Sequence, residues 1–366
     1  MKNILLLAQT PPPFHGQAVM QAYLVNATWD WCEKRHIRLA YSESIDDVGR
    51  FSLLKVLRLF RVVLDVWRQR LNGPIDVLYY PPAGPQRVPF YRDILTLLLV
   101  RWCAKRLVLH FHAGAFDQLQ QMISPLLRRI AVYVYGRADT AIVLLPSLQN
   151  EVQWIVPKRI EVVPNGIEDV SSRVSRQAAT GIPRILFVGA ISEAKGIFDA
   201  LAACRILRDQ GEVFLFTVVG DFANDTVRIR VHDFVRNQEL DGHVVFAGVR
   251  SGNDKWQEYA DADIFCFPSY ETEGQPVVLI EAMQFSLPIV ATRWRALPDI
   301  VRDGEEGILV PLREPLALSE ALGRLLSDGQ LRKRLGFAGR NRFVTDFHLQ
   351  KHLHGLERVF HTVAAE

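Results

Sequence analysis

Short, continuous runs of apolar residues, most of them bounded by turn residues, recur along the chain with helix-length segments between them. The first half holds KNILLLAQ (2–9), IDVLYYP (75–81), KRLVLHFH (105–112) and DTAIVLLPS (139–147). The second half holds PRILFVGA (183–190), EVFLFTVVG (212–220), HVVFAG (243–248), ADIFCFP (262–268) and LPIVAT (287–292). Runs this short and this unbroken predict strands buried on both faces, as in parallel sheets. Strands alternating with helices predict an α/β chain of two doubly wound, Rossmann-like domains. The stretch VVPNGIEDVSSRVSRQAATGIPR (162–184) loses apolar periodicity after its Asn165-Gly166 turn, so the domain boundary is expected near Gly166–Gly181. The two domains are expected to face each other across a cleft lined by strand C-termini, where ligands bind in such folds.

Composition narrows the class. The 366 residues are 49% hydrophobic and 23% charged, which is ordered and globular and long enough for two cores. A net charge of +3 gives no reason to expect nucleic acid as a partner. Cys32, Cys103, Cys204 and Cys266 are scattered without metal or disulfide spacing, which suits a reducing compartment. The start, MKNILLLAQTPPPF, reads as a first strand, not a signal peptide. The run ILTLLLV (94–100) is far short of the roughly 20 residues that cross a bilayer. A cytoplasmic protein is expected, with attachment to the inner membrane face left open.

The chemistry-bearing stretch is PSYETEGQPVVLIEAM (268–283), where Glu273 and Glu281 bracket a mostly apolar segment. Pro268, Gly274 and Pro276 break the chain after a strand, and a helix is expected from about Gln275 to Phe285. Eight helical residues rise roughly 12 Å, too far for two acids to share a proton but suited to the two ends of one elongated ligand. Free amides at the helix start, that of Val277 included, make an anion site between them. A cap at Glu273 and an ordinary surface face at Glu281 would explain the spacing as well.

PSYETEGQPVVLIEAMQFSLPIVAT resembles the hallmark segment of family 4 retaining glycosyltransferases, which have the GT-B fold. VVPNGIE (162–168), VGAISEAKGIFDAL (188–201), VVFAGVRSGNDKWQEYADADIFCFPS (244–269) and DGEEGILVP (303–311) resemble further parts of that family. The resemblance covers most of 160–345, while the first half matches mainly in layout. It implies domains at 1–165 and 166–345, and a last helix, 346–366, that crosses back to the first domain. It implies that Glu273 contacts donor-sugar hydroxyls, that Glu281 contacts the ribose, and that Lys195 neutralises the diphosphate. Val277 would offer its N–H to phosphate, and Gly248, Val249 and Arg250 would meet the base with Lys255 nearby. Gly189, Gly274 and Gln275 complete the donor contacts. Three departures stand out: Ala190 where the family has Arg, Pro276 where it has Gly, and Arg295-Ala296 where Gly-Gly is common.

In the first half, TPPPFHGQAVM (10–20) resembles the family's first loop, with Gly16 approaching the diphosphate. LVLHFHAGAFD (107–117) puts His110 and His112 at a strand end, and the resemblance selects His112 as the donor-sugar contact. The two rings would share a face unless the strand ends between them. The implied reaction is retaining transfer of a sugar from a nucleotide-sugar, a UDP-sugar ahead of a GDP-sugar, to an acceptor hydroxyl. His112, Lys195 and Glu273 are its catalytic candidates, with no cofactor and no metal. The acceptor side falls to the first domain, where FSLLKVLRLFRVVLDVWRQRL (51–71) forms a helix with Lys55, Arg58, Arg61 and Arg68 near one face. Such a helix fits an anionic membrane surface and a glycan or lipid-linked acceptor, and equally a solvated packing helix.

Three other classes compete. A dinucleotide-dependent oxidoreductase lacks its G-x-G-x-x-G after the first strand. A sugar-nucleotide epimerase or phosphorylase on the same fold, and a non-catalytic sugar-nucleotide-binding subunit, are separated from a transferase only by activity.

Overall fold

The structure is a computed structural model, and it describes residues 1–12, 16–39, 53–177 and 181–366. The chain divides into two compact units: Met1–Gly166 with Thr272–Gln275 and Gln350–Glu366, and Ile167–Glu271 with Pro276–Leu349.

The first unit carries a parallel sheet of β1 (Lys2–Ala8), β2 (Cys32–Arg38), β3 (Ile75–Tyr80), β4 (Ala104–Phe111), β5 (Thr140–Val143) and β6 (Ile160–Val162). The strand order is β2-β1-β3-β4-β5-β6, so the chain reverses direction of growth between β1 and β3. Its helices are α1 (Gly16–Asn26), α2 (Leu53–Leu71), α3 (Arg87–Val100), α4 (Phe116–Met122), α5 (Pro125–Tyr135) and α6 (Gln149–Val152). Every residue of β3 is buried, as its unbroken apolar run requires. Leu6, Val77, Val108 and Ile142 on one sheet face pack with Leu24 of α1 and with Leu356, Val359 and Phe360 near the C-terminus. On α3, buried Asp93 accepts from the Tyr80 hydroxyl at 2.7 Å, and Phe90 meets the Tyr135 ring of α5. Phe51 and Ser52 of the expected 51–71 helix lie outside the described residues, as do Pro13, Phe14 and His15 of the first loop.

The second unit repeats the scheme with β7 (Arg184–Val188), β8 (Leu215–Val219), β9 (Val244–Gly248), β10 (Ile264–Phe267), β11 (Ile289–Thr292) and β12 (Gly307–Val310). These run parallel in the order β12-β11-β10-β7-β8-β9, with the reversal between β7 and β10. Its helices are α7 (Ile197–Asp209), α8 (Asp225–Asn237), α9 (Gly252–Asp261), α10 (Val277–Gln284), α11 (Leu297–Ile300), α12 (Pro315–Ser327) and α13 (Gly329–Arg342); α14 (Leu349–Ala365) belongs from Gln350 onward to the first unit. Ile185, Phe187, Phe216, Val218 and Cys266 form the centre of its core. The segment after Gly166 is tied down by Arg340, which pairs with Asp169, and by Gln284, whose side-chain amide donates to the Glu168 carbonyl. Burial alone would raise the Asp169 carboxyl, but hydrogen bonds from Arg340 and Ser171 outweigh it and hold the group at about 2.

β2 and β6 are edge strands that no apolar run marks. CEKRHIR turns only part of its length inward, and IEV is half-buried throughout. Among the described residues, no helix is long and apolar enough to cross a membrane.

Candidate functional site

In a doubly wound sheet, ligands bind beyond the strand ends where the strand order reverses. In the second unit that point lies past β7 and β10, and the chain fills it with the two loops singled out by sequence. The loop after β7 carries Gly189, Ala190 and Lys195, and the loop after β10 carries Pro268 to Glu271. They are joined by the Tyr270 N–H, which donates to the Ala194 carbonyl at 2.9 Å, and by a Lys195–Glu271 ion pair of 3.1 Å. The Lys195 N–H donates to the Ser192 hydroxyl at 3.2 Å, which tightens the turn beneath the ammonium. Gly196 sits at φ 77°, and a Cβ there would lie 2.1 Å from the Pro268 carbonyl oxygen. Only glycine lets the two loops close this far.

Glu281 lies on α10, 5% exposed, with both carboxylate oxygens anchored from α9. Lys255 donates to one at 2.6 Å and the Tyr259 hydroxyl to the other at 2.7 Å. Lys255 and Tyr259 are one helical turn apart and so share a face. Burial, and then the charge of Glu281, push the Tyr259 phenol well above its ordinary range, so it stays a donor. Its ring stacks on Phe265 and Phe285 and lies beside Trp256, over which the Lys255 ammonium sits at 4.9 Å. An ionised carboxylate has about four lone-pair positions, and these contacts use one on each oxygen. By that count, one on each oxygen is not used by these two bonds. Gly248 ends β9 and Val249 and Arg250 follow it, all three exposed, with Arg250 3.6 Å from Glu258.

The helix that carries Glu281 begins at Val277 and ends at Gln284, shorter at both ends than the span expected from the sequence. Pro276 takes the extended conformation of an N-cap and supplies no capping side chain. The Gln275 side-chain oxygen accepts from the Asn165 N–H at 2.7 Å. Arg295, where the family has glycine, takes φ 44°, a left-handed conformation that glycine adopts without cost. Ala190 is exposed and adds no cation to the loop of Lys195.

In the first unit, β4 ends at Phe111, between the two histidines. The rings nevertheless pack against each other, with centroids 4.0 Å apart. Burial holds the Tyr79 phenol protonated, so Tyr79 donates to His110 Nδ1 at 3.0 Å. Burial first, then His112 and His352, push His110 well below its usual value and keep it neutral. Backbone contact brings Glu273 to His112: a Cβ on Gly274 would meet the His112 carbonyl oxygen at 2.0 Å, and one on Gly114 would meet that of Glu273 at 2.5 Å. Two glycines facing each other let these strands of backbone touch. Gly16 is the exposed first residue of α1.

Sequence reading missed Tyr259, Glu271 and Asn165, each of which holds a predicted residue. The four-residue step from Lys255 to Tyr259 was a usable signal for the first; nothing local marks the other two. Among the described residues, no group of three or more His, Cys, Asp or Glu side chains is placed to hold a metal ion.

Residues 171–342 match the family described as glycosyl transferases group 1. The chain is 31% identical over 174 residues to the amylovoran biosynthesis glycosyltransferase AmsK of Erwinia amylovora, covering 46% of this chain and 42% of that protein. Against the phosphatidyl-myo-inositol mannosyltransferase of Mycobacterium leprae it is 31% identical over 281 residues, covering 75% of this chain and 70% of the relative. HepE of Anabaena, solved in complex with UDP-glucose, has the same fold, with a TM-score of 0.75 at 17% identity over 99% of this chain and 100% of that one. The chain thus matches less than half the length of AmsK but more than two thirds of the mannosyltransferase. On these matches and this pair of six-stranded parallel sheets, the chain belongs to the group 1, GT4-like glycosyltransferases with the GT-B fold.

Proposed function

We propose that the chain is a retaining glycosyltransferase that moves a sugar from a nucleotide-sugar to an acceptor hydroxyl in cell-surface polysaccharide or glycolipid assembly. The observation that carries this reading is the Glu281 carboxylate, anchored on one oxygen by Lys255 and on the other by Tyr259, with acceptor capacity beyond those two bonds. A ribose presents two neighbouring hydroxyls to match. Lys195, held at the strand-order reversal of the second unit, takes the diphosphate, and Glu271 shares its ammonium until the anion arrives. The amide of Val277 at the start of α10 adds a second source of positive potential. Charge that grows on the leaving diphosphate is thereby stabilised where it forms. Gly248, Val249, Arg250 and Lys255 line the nucleoside end. His112 and Glu273 contact the sugar and Gly16 the diphosphate, with Gly189, Gly274 and Gln275 completing the donor contacts, as the family resemblance implies.

A UDP-sugar is the favoured donor, a choice supported by HepE, which was solved with UDP-glucose. The names of AmsK and of the mannosyltransferase, one a polysaccharide biosynthesis enzyme and the other named for a phosphatidyl-inositol, support a lipid-linked or oligosaccharide intermediate as acceptor. No metal takes part in this reading, so EDTA is expected to leave the rate unchanged. A thermal-shift screen against UDP, GDP, ADP and their sugars tests it, because a ligand bound only by the folded state raises Tm. One nucleotide class should raise Tm in the wild type and not in Glu281→Ala. No response to any nucleotide overturns the reading. Conversion of the responding sugar without acceptor would assign the chain to an epimerase instead.

A further inference from the structure

Helix α2 carries three stripes where two would suffice. Leu59, Val62, Val63 and Val66 are buried. Arg61, Asp65, Arg68 and Gln69 line a groove with His36 and Arg38 of the edge strand β2. Leu57, Phe60, Leu64, Trp67 and Leu71, spaced at three and four residues, face solvent, with Leu57 65% and Leu71 85% exposed. Soluble helices bury such a stripe. The apolar face extends beyond α2: the Trp67 indole donates to the Leu99 carbonyl of α3 at 3.0 Å, Tyr91 and Leu95 are exposed on that neighbour, and Trp102 is exposed in the turn that follows it. Charge points the same way. α2 holds five basic residues and one acid, more net charge than the +3 of the whole chain. Arg38 is fixed at the groove mouth by the carbonyls of Thr10 and Pro12, and Asp65 is paired with Arg68 at 2.9 Å.

An exposed apolar stripe alongside an arginine groove matches the cross-section of one kind of surface, acyl chains beneath anionic headgroups. We propose that α2 and α3 dock on an anionic bilayer, with the Leu57–Leu71 stripe entering the acyl boundary and Arg38, Arg61 and Arg68 holding headgroup phosphates. This deepens the acceptor part of the reading above and places the insertion on the apolar stripe, whereas the sequence had pointed to the basic face. The groove residues on β2 had given no signal.

Flotation tests it, with vesicles of phosphatidylglycerol in phosphatidylcholine and of phosphatidylcholine alone, at about 50 and about 500 mM salt. The wild type should float with the anionic vesicles at low salt, with a blue shift of Trp emission, and bind the neutral ones at least about tenfold less. Leu57→Asp/Leu64→Asp and Arg61→Glu/Arg68→Glu should each lose about tenfold or more, while keeping the nucleotide-induced rise in Tm that shows an intact fold and donor site. Failure of the wild type to float, or flotation unchanged in both variants, overturns the proposal. So does a dimer in solution that the leucine variant dissociates, which would make the stripe an interface between copies. Displacement by inorganic phosphate but not by chloride at matched ionic strength would give the groove to a soluble phosphate, and also overturns it. Loss of nucleotide binding in the wild type would instead count against the transferase reading.

Discussion

Replacing Tyr259 with Phe removes one oxygen and tests whether Glu281 acts as an oriented group. The hydroxyl is fully buried and donates to Glu281 Oε2 at 2.7 Å. A hydrogen bond to a charged partner contributes about 1.5–3 kcal/mol. The ring keeps its stacking on Phe265 and Phe285, so packing is unchanged and the cost in stability should be about 2 kcal/mol. Binding should suffer separately. With only Lys255 left to hold it, the carboxylate can turn away from the hydroxyls it would receive, and about 1.4 kcal/mol of lost orientation is a tenfold weaker Kd. Glu281→Ala removes both bonds, and two such bonds amount to a loss of about 10²-fold or more. Calorimetric titration of the nucleotide identified by the thermal screen measures both, and the double variant closes the cycle. If Tyr259 acts through Glu281, Tyr259→Phe should have no further effect on affinity once Glu281 is Ala. An unchanged Kd in Tyr259→Phe, or full additivity in the double variant, would refute the reasoning.

Lys195→Ala should lower kcat about 10²-fold, with Lys195→Arg intermediate, if the ammonium stabilises the departing diphosphate; steady-state rates at saturating donor show it. Gly274→Ala forces a Cβ to within 2.0 Å of the His112 carbonyl oxygen and should cost about 3 kcal/mol in urea unfolding, against near-neutrality at Gly242, where the space is open. His352 donates from Nδ1 to the Pro164 carbonyl at 2.6 Å, and burial lowers it to about 4. The unfolded chain, titrating near 6.5, therefore binds more protons between these values. The stabilising contribution is complete above pH 6.5 and falls away as pH drops toward 4, by about 3 kcal/mol in all. His352→Asn, which keeps the donor without the titration, should flatten that dependence of the urea midpoint; an unchanged slope argues against it.

The fold was legible where physics writes it locally. A strand buried on both faces must be apolar throughout, and the run IDVLYY announces β3 without help. An edge strand carries no such obligation, which is why CEKRHIR and IEV left no mark. The site was legible to the same depth. Lys195, Glu273 and Glu281 are named by motif, but the groups that hold them come from distant parts of the chain. Glu271 lies 76 positions from Lys195 in sequence, and Asn165 lies 110 from Gln275. The helix start illustrates the limit: turn residues mark a break near Gln275, yet only the extended backbone of Pro276 fixes Val277 as the first helical residue. On α2, periodicity shows three stripes, and no sequence rule states which one is buried.

The most direct test of the central claim is a crystal structure of the chain with the responding nucleotide-sugar bound. The account predicts ribose oxygens within hydrogen-bond distance of both Glu281 oxygens, with Lys255 and Tyr259 still in place, and diphosphate oxygens on Lys195. A nucleoside bound elsewhere, with Glu281 contacting nothing but its two protein partners, would contradict it.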